Sequence, residues 1–217
     1  MKRVLKSKID TKDYFYIIMD LCIINLEDYI KNRENKITIN EIKEVLIQLN
    51  NLFKIMNEKR IIHRDLKPSN ILISLDRLDK CLIKLSDYGS SKFINLSNTI
   101  TNSMNGTPLT MAPEIIEGEN YNMKSDIWSL GIIIYFMLNK EYPYNGKTEV
   151  SLFNDINSNK KLKLSNDDKL NDLLKKMLKI NINERISWDE YFNHPFFIKI
   201  IFLILNYLNL IVINIQK

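Results

Sequence analysis

Glycine is scarce in this 217-residue chain: there are five, and none occurs before Gly89. The sequence therefore contains no G-x-G-x-x-G turn, the kind whose glycines let backbone approach a phosphate. Cysteine is scarcer still. Cys22 and Cys81 are too few for a disulfide framework and stand at no metal-ligand spacing, so a reducing, cytoplasmic compartment is expected. The opening residues, "MKRVLKSKID", are charged where a secretory signal needs an apolar centre. A dominant charge is missing too. The formal net charge is only +5, with Lys and Arg scattered among acidic neighbours, which excludes a nucleic-acid stripe and leaves a solvated surface. No internal repeat is visible. Near the end, residues 200–213 are apolar apart from Asn206, Tyr207 and Asn209. That run falls short of the ~20 residues of a spanning helix. It leaves three readings: a tail anchor touching a membrane (the lesser one), a helix packed on the domain, or sequence foreign to the natural fold.

The chain is long enough for one well-buried core. "YFYIIMDLC", residues 14–22, is aromatic and β-branched and reads as a buried strand. Helical patterning comes next. Asn25 is a plausible cap for "LEDYIKN". Residues 38–59 place Ile42, Val45, Leu46, Leu49, Leu52, Phe53 and Met56 on one face of a long amphipathic helix. "ILIS" and "CLIKLS" predict two short strands, followed by a polar Ser/Thr/Asn loop. After residue 114 only helices are predicted, near 125–139, 149–157, 168–179 and 187–193. The expected fold is α+β and mostly α-helical.

Chemistry concentrates in "IIHRDLKPSN", residues 61–70. Pro68 disfavours a helical conformation at Lys67, which predicts an extended loop. Residues two apart in an extended chain point the same way, so Asp65 and Lys67 should lie side by side. A carboxylate that can orient a hydroxyl and take its proton, beside an ammonium that neutralises a moving phosphoryl group, suits phosphoryl transfer. Asn70 adds an amide oxygen suited to a hard cation such as Mg²⁺.

This stretch resembles the catalytic loop of the eukaryotic protein kinase superfamily, H-R-D-L-x-x-x-N. Further motifs come in the family's order. "SDYG" (86–89) stands at the D-F-G position and "MAPE" (111–114) at the A-P-E position. "DIWSLGIIIYFML" (126–138) resembles the long buried helix, "NERIS" carries Arg185, and "WDEYFNHPFF" resembles the last helix. The resemblance covers residues 14–197 and implies the kinase large lobe.

By that resemblance Asp65 is the catalytic acceptor, Lys67 the phosphate contact, and Asn70 with Asp87 the Mg²⁺ ligands. Asp126 would brace the catalytic loop from beneath, and Arg185 would pair with Glu114. Met19 would be the gatekeeper, Asp20 and Cys22 would offer backbone groups to the adenine of ATP, and Leu72 would form its floor. Lys67 and Thr107 imply a Ser/Thr rather than a Tyr kinase, acting on protein substrates. Arg64 implies regulation by an upstream kinase, with Ser103 the first phosphoacceptor and Thr101 and Thr99 behind it. His63 and His194 fall inside matching motifs and read as buried structural histidines. Tyr88 for the usual Phe, and Thr110 before "MAPE", depart from the family pattern without removing a catalytic group.

The front is the large departure. In this family a small lobe supplies a Gly-rich loop, a strand Lys and a helix Glu that pairs with that Lys. The residues before Tyr14 are too few for these, and Lys6 and Lys8 read as a solvated basic end. The implied division is a small-lobe remnant with one or two strands and the hinge (1–22), a large lobe (23–198) and an apolar tail (199–217). Strand 14–22 would then be an unpaired edge, and phosphotransfer by this chain alone would fall below the ~1 per second of ordinary kinases. Two functions are implied: a truncated protein Ser/Thr kinase, or a catalytically weak, pseudokinase-like module that binds partners.

Overall fold

In the computed structural model, two strands open the chain as a hairpin. β1 (Arg3–Ile9) and β2 (Lys12–Ile18) pair antiparallel along their whole length, from Arg3 opposite Ile18 to Ile9 opposite Lys12. This corrects two expectations. The strand begins at Lys12 and is not an unpaired edge, because the basic segment carrying Lys6 and Lys8 is itself a strand and supplies its partner. The structure describes residues 3–9, 12–18, 21–76, 80–87, 92–93, 109–158 and 160–197.

The rest is mostly helical, as the patterning predicts. β3 (Ile24–Asn25) leads into α1 (Leu26–Asn32), whose first turn is closed by the Asn25 side chain accepting from the Asp28 N–H at 2.8 Å. α2 (Ile39–Glu58) starts with a reciprocal cap. Thr38 Oγ1 accepts from the Glu41 N–H, and Glu41 Oε2 accepts from the Thr38 N–H at 2.8 Å. Its inward face is Ile42, Leu46, Leu49, Phe53 and Met56, with Val45 and Leu52 half-buried on one flank.

β4 (Ile61–Ile62) pairs with β7 (Lys92–Phe93), and β5 (Ile71–Leu75) lies between β3 and β6 (Cys81–Leu85). Two-residue strands such as β3 and β4 carry no periodicity of their own, so the sequence does not announce them. α3 (Pro113–Ile116), α4 (Met123–Asn139), α5 (Glu149–Ile156), α6 (Asp168–Met177) and α7 (Trp188–Phe192) complete the body.

α4 is the central element. Ile127, Trp128, Leu130, Ile132 and Ile134 are wholly buried, and burying each such side chain contributes about 1.5–3 kcal/mol. Gly131 lets the end of α6 come close, since a Cβ there would lie 2.9 Å from Leu178 Cδ2. α7 closes the base of the domain. Trp188 packs on Phe53 with ring centroids 4.9 Å apart, and Tyr191 donates its hydroxyl to Asn50 Oδ1 at 3.0 Å.

Candidate functional site

The loop from His63 to Lys67 is shaped from below by one buried carboxylate. Asp126, in the first turn of α4, accepts the His63 N–H on Oδ2 at 2.7 Å and the Arg64 N–H on Oδ1 at 3.0 Å. Arg64 sits at φ 67°, in the left-handed region that non-glycine residues avoid. Two charge-assisted bonds on consecutive peptides hold that conformation. Burial pushes the Asp126 carboxyl up to about 6, against the two peptide N–H groups and Arg64, which pull it down. Above that pH it stands as a carboxylate.

Beyond Arg64 the chain runs extended, with Lys67 at φ −153° and ψ 160°, and Lys67 Nζ meets Asp65 Oδ2 at 2.9 Å. The extended loop is shorter than the sequence suggests, because Pro68–Asn70 forms a 3-10 turn. Pro68 opens that turn, where its missing N–H costs nothing. The turn swings Asn70 back so that its Nδ2 donates to the Asp65 carbonyl at 2.8 Å and to Asp65 Oδ2 at 3.0 Å. Asp65 Oδ2 thus takes two donors, and Oδ1 points to no hydrogen-bond partner among the described residues. The amide oxygen of Asn70 is likewise left over once its nitrogen is engaged.

A second loop is tied to the first. Ser86 donates both its N–H (2.9 Å) and its hydroxyl (3.0 Å) to the Asn70 carbonyl, while His63 Nε2 meets the Ser86 carbonyl at 3.1 Å. Asp87 comes directly after, exposed and at φ 61°. Burial lowers the His63 pKa, which favours the neutral ring, against the Ser86 carbonyl, Asp65 and Asp87, which raise it. Its Nδ1 faces the Asp65 N–H at 3.4 Å, which leaves Nε2 to carry the proton and donate. Asn70 and Asp87 offer oxygen ligands only, and among the described residues no group of three or more His, Cys, Asp or Glu side chains could hold a metal. Such a sparse oxygen set fits Mg²⁺, which keeps waters and substrate phosphates in its shell, and does not fit zinc.

The third part is a buried ion pair. Arg185 and Glu114 meet as a fork at 2.8 Å on both sides, with side-chain exposures of 0% and 5%. Ser125 Oγ adds a bond to Glu114 Oε1 at 2.9 Å, and Arg185 Nε donates to the Lys179 carbonyl at 3.0 Å. Every charged atom of the pair is therefore answered. Thr110, just before this segment, is buried, and its carbonyl accepts from Ser129 Oγ at 2.7 Å. The Arg64 guanidinium lies 5.8 Å from the Tyr121 ring centroid, at the far end of the same segment.

The structure thus gathers Arg64, Asp65, Lys67, Asn70, Asp87 and Asp126 into one locality and joins Glu114 to Arg185 in a buried fork. Leu72 is half-buried on β5, opposite Asn25 and Lys84, and Cys22 is half-buried just before β3. Met19, Asp20, Tyr88, Ser103 and Thr107, together with Thr99 and Thr101, lie outside the described residues. Sequence reasoning missed Ser86 and Ser125. Ser86 had one signal, its place directly before Asp87; Ser125 had none.

Comparison with known proteins identifies relatives of the chain. The family profile of the protein kinase domain matches residues 4–197. The chain is 38% identical over 184 residues to the serine/threonine-protein kinase atg1 of Dictyostelium discoideum, covering 83% of this chain and 27% of that protein. It is 33% identical over 200 residues to the serine/threonine-protein kinase unc-51 of Caenorhabditis elegans, covering 86% of this chain and 23% of the relative. Against the serine/threonine-protein kinase ULK3 of Xenopus laevis the identity is 35% over 191 residues, with 85% and 40% covered. The chain therefore spans less than half the length of these relatives.

Proposed function

This chain belongs to the protein kinase domain family, and from that premise we propose that it transfers the γ-phosphoryl group of Mg-ATP to Ser or Thr hydroxyls of protein substrates. The observation that carries the proposal is the Asp65 carboxylate, held on Oδ2 by Lys67 and Asn70 with Oδ1 in no hydrogen bond among the described residues. Oδ1 orients the acceptor hydroxyl and takes its proton as the new O–P bond forms and the bond to ADP breaks. Lys67, 2.9 Å away, neutralises charge on the phosphoryl oxygens in flight.

Asn70 and Asp87 would hold Mg²⁺, which when bound neutralises the nucleotide phosphates. Their spacing is kept by the Ser86 bonds to the Asn70 carbonyl. Met19, Asp20, Cys22 and Leu72 are assigned to adenine, and Thr107 to the acceptor side. Arg64 is assigned to a phosphate placed by an upstream kinase on the following segment, at Ser103 first. The names of the relatives support Ser/Thr specificity. Two cysteines in no disulfide support a reducing, intracellular setting. Among the described residues no helix is long and apolar enough to cross a membrane.

The test is phosphate transfer from Mg-ATP to a Ser/Thr peptide by the purified chain and by Asp65→Asn. Loss of about 10²–10⁴-fold in the variant is expected, the range of a general base. Equal rates in the two would overturn the assignment. A parent chain that neither transfers phosphate nor binds Mg-nucleotide would move the function to partner binding.

A further inference from the structure

Arg64 is held at two ends. Its peptide N–H donates to Asp126 Oδ1 at 3.0 Å, and its guanidinium carbon lies 5.8 Å from the centroid of the Tyr121 ring. At that range the negative face of an aromatic ring attracts a cation. Arg64 also keeps a left-handed φ of 67°, which persists only where the surroundings over-determine it. We propose that Tyr121 is a positioning residue for phosphoryl transfer, its ring face holding the Arg64 side chain and, through it, the turn that presents Asp65. The inference rests on the kinase reading for its effect on rate and extends it to a residue that acts through Arg64.

The bond that must be held lies between the Arg64 nitrogen and its Cα. With the Arg64 N–H pinned by Asp126, rotation about φ swings the side chain off the ring and turns the Asp65 peptide by the same angle. Both Asp126 bonds, to the His63 and Arg64 N–H groups, act upstream of that rotation and do not resist it. Just downstream, the Asp65 N–H meets His63 Nδ1 only at a long 3.4 Å. The hold of the ring on the guanidinium opposes the rotation directly. What it preserves is the Asp65 carboxylate that Lys67 and Asn70 engage on Oδ2.

Tyr121 is anchored well enough to serve. The next residue, Asn122, caps α4: its side chain accepts from the Lys124 N–H at 2.8 Å, and its own N–H donates to Ser125 Oγ at 3.2 Å. Ser125 Oγ in turn donates to Glu114 Oε1 at 2.9 Å, within the buried fork to Arg185. The start of one helix therefore carries both grips on Arg64. The electrostatics agree. Burial first, then the charges of Asp126, Asp65 and Glu114, push the Tyr121 phenol up to about 12, while Arg64 pulls it down. The ring is neutral near pH 7 and attracts Arg64 by its face, in surroundings whose carboxylates favour a cation.

The experiment replaces Tyr121 in the full chain by phenylalanines carrying none to three ring fluorines, which keep the shape while draining the negative face, and by Leu. On each, NMR reads the backbone N–H resonance of Asp65, and a peptide assay reads kcat and KM. Fluorescence of the buried Trp128 and Trp188 shows that each is folded. The Asp65 resonance is expected to move stepwise with fluorine number. In the same order kcat should fall, reaching about 2–30-fold at Leu with KM unchanged, and Phe should restore most of that loss. In an Arg64→Gln background the Asp65 resonance should be flat across the series. If the Leu variant loses its tryptophan signal, the fluorinated series decides alone. A resonance that ignores fluorine number, or follows it equally without Arg64, would overturn the proposal. So would a moving resonance with constant kcat in an active chain. A chain that transfers no phosphate, yet whose Asp65 resonance follows the series only when Arg64 is present, supports the positioning and refutes the kinase assignment instead.

Discussion

His63 Nε2 donates to the Ser86 carbonyl at 3.1 Å, a bond that joins the loop bearing Asp65 to the loop bearing Asp87. The ring does this while buried and neutral, with Nδ1 facing the Asp65 N–H. Burial lowers its pKa below 6.5, so the unfolded chain takes up a proton before the folded chain does. The stability this group contributes is therefore present above about pH 6.5 and is lost as pH falls through the lowered folded value, at up to about 1.4 kcal/mol per pH unit. Asp126, raised to about 6, works in the opposite direction, its contribution falling as pH rises from 3.8 to 6. The comparison of the parent with His63→Phe isolates the histidine. Denaturant unfolding at pH 7.5 and pH 5.5 should show the parent losing more stability between the two than the variant. Equal losses would mean that the ring titrates alike in both states.

Lys67 is held by Asp65 and is more than a third exposed, so the pair adds little to folding. Lys67→Met should leave the unfolding midpoint within about 0.5 kcal/mol while lowering phosphate transfer about 10²–10³-fold, the usual cost of one transition-state donor. Parallel assays of unfolding and transfer separate the two. A large stability loss would refute the assignment of Lys67 to the phosphoryl group.

Asp126 acts through the loop it supports. Asp126→Asn keeps the shape but turns an N–H donor toward a peptide N–H, leaving a buried donor unanswered at about 1–3 kcal/mol. Because the loop carries Asp65, kcat should fall while KM for nucleotide stays close to the parent value. A fall confined to stability would make the residue purely structural.

Arg185 and Glu114 depend on each other more than any other pair described. Removing one side strands a buried charge, so Arg185→Met or Glu114→Gln should each cost about 3–5 kcal/mol in denaturant unfolding. The double variant should cost less than the sum, because the second change removes the stranded partner. Additive losses would show that the two side chains do not couple.

Legibility in the sequence depends on distance along the chain. The Asn25 cap and the inward face of α2 are local and readable from spacing. So is the side-by-side placement of Asp65 and Lys67, which extended geometry dictates. The Glu114–Arg185 and Asp126–loop contacts lie 62 to 71 residues apart and are readable only through family resemblance. Ser125 and Ser86 escape because a serine hydroxyl satisfies itself locally in many ways, and only the fold says which partner it takes. The β1–β2 hairpin is missed for a related reason. A short charged segment becomes a strand only when a neighbour offers a pairing edge, and β2 does.

The fork between Glu114 and Arg185 also sets an order of events during synthesis. The two residues are 71 positions apart, and a ribosome adding about 5–20 residues per second leaves Glu114 waiting roughly 4–14 s for its counterpart. Within that interval α4 is made before α6, the helix that packs on it, and α7 comes only after Arg185. The nascent chain is thus most exposed to aggregation and to chaperones between the completion of α4 and the arrival of α6, and the domain closes only once Arg185 and α7 have followed.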